Sequence, residues 1–121
     1  MSHAHRLVVA RPVAVADLSH TPAREAAEPA VAVWERRVEL GALGRAVREL
    51  RARRGLSQEE LGFQAGLHRN YVGAVERGEI NATFRVLMKL ARGLQVPFSE
   101  LIEVFERQRT WAVATADGDR S

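Results

Sequence analysis

Apolar residues recur at helical spacing from Leu43 to Phe105, and the polar residues between the runs act as stops and starts. Leu43, Val47 and Leu50 repeat at intervals of four and three while Arg45, Arg48 and the arginine-rich run 51–54 occupy the other faces, which predicts a first helix ended by Gly55. Ser57 then reads as the cap of a second helix, because its hydroxyl can bond the amide of Glu60 while the Glu60 carboxylate returns a bond to the cap's own amide. That helix is predicted from Gln58 to about Ala65. Gly66 permits a sharp left-handed turn, and a third helix is expected from near His68 to Gly78. Thr83 suits the cap of a fourth, with Phe84, Leu87, Leu90, Ala91 and Leu94 as its apolar stripe. Pro97 suits the first turn of a fifth, which presents Phe98, Leu101, Ile102 and Phe105.

The flanks are less regular. Residues 1–33 are rich in Ala, Val and Pro, and the alternation in "RLVVARPVAVADL" suggests a short strand that Pro12 interrupts. Trp34, Val38 and Leu40 share a face and suggest a helical lead-in, whereas 106–121 has no clear period and reads as a frayed tail, with Trp111 out of character for one. The expected organisation is a flexible N-terminal arm over 1–39, helical near its end, a domain over 40–105, and a tail over 106–121. The fold class is all-α: a compact five-helix domain flanked by flexible tails.

A glycine-containing turn between the second and third helices holds two short helices at a steep angle, and such a pair is stable only if its inner positions are apolar or small. Leu61, Ala65, Leu67, Val72 and Val75 meet that requirement, with Gly66 at the turn and Gly62 at the closest approach. The pattern is a helix-turn-helix.

Charge and composition narrow the function. The net charge of +3 lies wholly in 40–105, where ten basic side chains face seven acidic ones, a localised footprint for an anionic partner. With no cysteine in the 121 residues, disulfides and thiolate metal sites are excluded. The N-terminus has no unbroken apolar core before a cleavage site, and no stretch approaches a membrane span, so a soluble cytoplasmic protein is expected. His3, His5 and His20 lie in the arm and His68 lies at the turn, which leaves no grouping of nucleophile, base and orienting acid. Neither an enzyme, a cofactor, a metal nor a small-molecule ligand is expected.

The stretch from Leu43 to Ile102 resembles the Cro and lambda-repressor type of helix-turn-helix domain, also called the xenobiotic-response-element type. The likeness rests on "RGLSQEELG" opening the second helix, the glycine turn, "VERG" closing the third, and "LARGLQVP" joining the last two. Within that family "GLHRNYVGAVERGEIN" is similar to the restriction-modification controller proteins. Three departures are evident: Gly62 replaces the usual alanine, at a helix-propensity cost of about 1 kcal/mol; Ala82 stands where a proline is common; and the N-terminal segment exceeds the controller pattern.

The resemblance implies a transcriptional regulator that binds double-stranded DNA, its third helix entering the major groove tip first. His68, Arg69, Asn70 and Tyr71 are then the candidate base contacts. Arg69 leads, because a guanidinium can grip two acceptors on guanine. Asn70 either pairs with adenine or turns inward, His68 reaches a base or a phosphate, and Tyr71 meets phosphate, a thymine methyl or the space between helices. Gly73 and Ala74 are expected to face the groove and let the helix lie close. Gln58, Arg77, Asn81 and Arg85 are the candidate phosphate contacts, and Glu76 is expected to pair with an arginine of the first helix. One short module makes few contacts, so a homodimer on a pseudo-palindromic operator is expected, with Phe98, Leu101, Ile102 and Phe105 either at its interface or facing the core of the monomer. The rival reading is an antitoxin or protein-interaction adaptor that uses the tails to hold a partner.

Overall fold

The structure is a computed structural model that describes residues 29–120, and its chain divides into two units, 1–33 and 34–121. The second unit carries the fold. Five helices follow one another in order: α1 Ala30–Arg54, α2 Gln58–Ala65, α3 Arg69–Glu76, α4 Phe84–Leu94 and α5 Phe98–Arg120. The possible strand in the N-terminal segment lies outside the described residues.

The local signals account for most helix ends. Ser57 and Glu60 form the reciprocal capping box, each bonding the other's backbone amide at 2.9 and 2.8 Å. The Thr83 hydroxyl accepts the Val86 amide at 3.2 Å and starts α4. Gly66 closes α2 at φ 74°, where an L side chain would strain, and its amide bonds back to α2 carbonyls. Gln95 ends α4 in the same left-handed region at φ 61° without being glycine, and the Arg54 guanidinium donates to its side-chain carbonyl.

Both long helices outrun their predicted lengths. The first begins at Ala30 rather than Leu43, and the fifth continues through the stretch read as a frayed tail. Side-chain contacts between them explain why a region of weak period stays helical. The Arg45 guanidinium donates from Nε to Gln108 Oε1 at 3.1 Å and stacks 5.5 Å from the Trp111 ring centroid. Glu49 accepts from Gln108 at 2.9 Å and from Arg107 Nη1 and Nη2 at 3.2 Å each. Trp111 thus has a place in the fold.

The core is built from Val47 and Leu50 of α1, Leu61 of α2, Val72 and Val75 of α3, Leu90 and Leu94 of α4, and Leu101 of α5, all fully buried. These are the positions that helical spacing points inward. Burying a large aliphatic side chain contributes on the order of 2 kcal/mol, so this set is the main stabilising term. Leu101 was expected at a dimer surface or in the core; at 0% exposure it belongs to the interior, and Phe98 and Phe105 lean against the same core. Phe84 shows the converse, standing 67% exposed at the head of the apolar stripe of α4.

Glycines set two helix crossings. A Cβ on Gly44 would lie 2.4 Å from the Glu76 carbonyl oxygen, so α1 meets the end of α3 at backbone contact. One on Gly62 would lie 2.5 Å from the Leu67 carbonyl oxygen. The turn in this chain is therefore packed closer than the family's usual alanine would allow.

Candidate nucleic-acid interface

The third helix stands on the body through one buried acid. Glu76, 3% exposed, closes α3 and receives two hydrogen bonds from Arg51 of α1, Nε to Oε2 at 2.6 Å and Nη2 to Oε1 at 3.0 Å. The Gln58 amide of α2 donates to the same Oε1 at 2.9 Å, and Arg48 donates to the Glu76 backbone carbonyl at 3.2 Å. A carboxylate stripped of water is stable only when its lone pairs are filled in this way. Hydrogen bonding to Glu76 in turn raises Arg51 above the ordinary arginine value. Three helices are thereby locked at one point, which fixes the angle at which α3 leaves the body.

The other end of α3 is open. Arg69 and Asn70 are exposed on its first turn. His68 is the N-cap: its Nδ1 accepts the Asn70 amide at 3.0 Å, so one ring nitrogen is committed to the helix and Nε2 is the atom that faces outward chemistry. Tyr71 is half-buried against the core, which is the wedge alternative of the three weighed for it. Arg69 Nη1 lies 3.7 Å from the Glu59 carboxylate of α2. An open cleft of about 390 Å³ runs between them, lined by Glu59, Phe63, Leu67, His68 and Arg69.

Gly73 is covered by neighbouring side chains and leaves no bare backbone on α3. It is buried, and a Cβ there would come within 3.3 Å of Gln58 Oε1 and 3.2 Å of Arg77 Nη1. Its smallness makes room for those two side chains, and so Gln58 and Arg77, distant in sequence, come together over α3. Gln58 spends its amide on Glu76 instead of standing free at the helix start. Arg77 is exposed and holds Glu79 at 2.9 Å, a bond that raises the arginine and lowers the glutamate from their ordinary values. Asn81 and Arg85 are exposed.

Two features escaped the sequence reading. Phe63, at 87% exposure, projects from α2 beside Arg69, and its only signal in the sequence was an aromatic residue outside the inward positions of that helix. Met88, one turn on from Phe84 in α4, is 42% exposed. Phe84 meets Phe98 edge to face at 5.5 Å, so an aromatic pair joins α4 to α5.

Comparison with known proteins agrees with this geometry. The Helix-turn-helix family profile matches residues 47–101. Control protein C.SmaI of Serratia marcescens is 45% identical over 56 residues, covering 46% of this chain and 67% of that protein. Control protein C.BamHI of Bacillus amyloliquefaciens is 34% identical over 61 residues, covering 50% and 75%. The chain belongs to the helix-turn-helix transcriptional regulators.

Among solved structures, the restriction-modification controller protein C.AhdI from Aeromonas hydrophila superposes with a TM-score of 0.50 at 48% identity, covering 51% of this chain and 94% of that one. This regulator therefore contains nearly the whole of a controller-protein fold and adds segments outside it. The added α5 residues Arg107, Gln108 and Trp111 lie beyond the matched family span, as does Arg45 at its start. Among the described residues no helix is long and apolar enough to cross a membrane, and no cluster of three or more His, Asp or Glu is placed to hold a metal.

Proposed function

We propose that this regulator binds a pseudo-palindromic duplex operator as a homodimer, with the first turn of α3 in the major groove of each half-site, and that it acts in the cytoplasm. The supporting observation is the contrast between the two ends of α3. Glu76 anchors one in the body, while Arg69 at the other has a side chain 61% exposed. A rigidly held base and an exposed cationic tip suit a reading head: positional precision comes from the anchor, and base discrimination from the bidentate donors of Arg69. Asn70 and the Nε2 of His68 stand beside it as further base contacts, with Tyr71 at the edge supporting the helix and offering its phenol. Gln58, Arg77, Asn81 and Arg85 flank the tip and supply phosphate contacts, which add affinity without sequence information.

Two copies meet through Phe84, Met88, Phe98 and Ile102, an aromatic and aliphatic face at the junction of α4 and α5. Phe105 extends it, while Leu101 supports it from within. Such a dimer places two reading heads on one side of the duplex, about 34 Å apart for half-sites one turn apart. Because named relatives are control proteins and restriction-modification controllers, DNA upstream of a restriction-modification gene pair is the first class of target to assay. The direct test is selection of duplexes from a randomised pool by the full chain, followed by mobility shifts. A two-fold symmetric consensus bound by two chains is the expected result; recovery of no consensus, or of an asymmetric site bound by one chain, would contradict the proposal.

A further inference from the structure

We infer that Glu59 is a positioning residue for Arg69, aiming its guanidinium at base edges and holding it away from phosphates. This rests on the reading of Arg69 as a base contact and deepens it.

Glu59 sits on the first turn of α2, next to Gln58, and its carboxylate lies 3.7 Å from Arg69 Nη1 across the turn. At that distance the contact is an ion pair and not a hydrogen bond, so it biases the guanidinium while leaving its N–H donors available. Phe63 and Leu67 line the same cleft, giving it an apolar wall opposite the charge.

Surface ion pairs of this kind add little to stability, since both partners are more than half exposed. Their consequence lies at the DNA. An unrestrained arginine at a helix tip is drawn to the nearest phosphate on any sequence, which raises non-specific affinity and erodes discrimination. A carboxylate held beside that arginine competes with phosphates for the guanidinium and repels the backbone, so a phosphate-bound pose loses relative to a base-directed one. Glu59 thus subtracts from total affinity and adds to selectivity.

The experiment uses the full chain, a duplex selected from a randomised pool and a shuffled duplex of equal length, with affinities measured for the wild type, Glu59→Gln, Arg69→Ala and the double variant. Glu59→Gln should bind the shuffled duplex several-fold more tightly and lower the ratio of selected to shuffled affinity about fivefold, the lower end of what one bidentate base contact supplies. In the Arg69→Ala background the same substitution should leave the ratio unchanged. A wild-type ratio in Glu59→Gln, or an equal shift with and without Arg69, would overturn the inference, the latter because removal of any negative charge would do the same. An unchanged ratio in Arg69→Ala alone would instead refute the base contact itself. Thermal melting should be the same for Glu59→Gln and the wild type, separating positioning from folding.

Discussion

Arg51 and Glu76 clasp each other through two near-parallel hydrogen bonds, 2.6 and 3.0 Å, that tie the first helix to the end of the third. The Glu76 side chain is 1% exposed and that of Arg51 19%. Removing the arginine alone leaves a carboxylate buried with too few donors, so Arg51→Met should cost about 3 kcal/mol of stability. Replacing both, as Arg51→Met with Glu76→Leu, should recover a large part of it. Urea unfolding of the two variants reads this out; a single variant as stable as the wild type would contradict the role given to the clasp.

Gly44 makes a second, sharper claim on the same junction. Alanine is the better helix former by about 1 kcal/mol, yet its methyl would meet the Glu76 carbonyl oxygen at 2.4 Å. Gly44→Ala should therefore destabilise by about 2 kcal/mol, the range of overpacked cores. Gly41→Ala, three residues earlier, meets only the Arg45 guanidinium at 3.4 Å and should be neutral or mildly stabilising. Thermal denaturation of the pair isolates the crossing from helix propensity.

Acid should loosen the contact between the long helices before it unfolds the core. A hydrogen bond from Arg107 holds Glu49 below the ordinary glutamate value of 4.5, with Gln108 and Arg53 adding to it against a desolvation cost. A carboxylate depressed in the folded state stabilises at pH above its unfolded value and loses that contribution as pH falls through the folded one. The loss therefore belongs below about pH 4.5. Glu49→Gln should flatten that part of the stability profile, as followed by Trp111 fluorescence in a Trp34→Phe background and by urea midpoints. A parallel profile in the variant would show that the interaction carries no net stability.

The dimer face proposed on α4 and α5 allows association to be tested apart from folding. Phe84→Ser combined with Ile102→Glu should give a folded monomer in sedimentation, with the circular dichroism of the wild type, and operator affinity reduced by the loss of the second reading head. Leu101→Ala should act differently, costing roughly 2 to 5 kcal/mol as an interior truncation. If the double variant sediments as the wild type does, the interface lies elsewhere.

Phosphate contacts should show their lack of sequence preference. Arg77→Ala is expected to weaken selected and shuffled duplexes by similar factors and to reduce the salt slope by about one. Titrations at several salt concentrations measure both. A selective loss on the selected duplex would move Arg77 from the phosphate set to the base-reading set.

How much of this was written in the chain depends on the range of the interaction. Periodicity determined the helices between Leu43 and Phe105, the capping box of Ser57 and Glu60, the Thr83 cap and the turn at Gly66, because each is settled within one or two turns of backbone. The family likeness of 47–101 followed from the same local run. Tertiary structure alone decided which way an apolar side chain faces when a helix has two apolar sides: Leu101 went to the interior, Phe84 to the surface, and Gly73 beneath Gln58 and Arg77. It also brought two arginines of α1 to Glu76, 25 and 28 positions away, with Arg51 bonding the carboxylate twice and Arg48 the backbone carbonyl. And it kept α5 helical as far as Arg120, where contacts from Arg45 and Glu49 supply what a weak local period did not. Helix formation is a short-range property of neighbouring residues, whereas burial and pairing depend on groups brought together only when the whole chain packs.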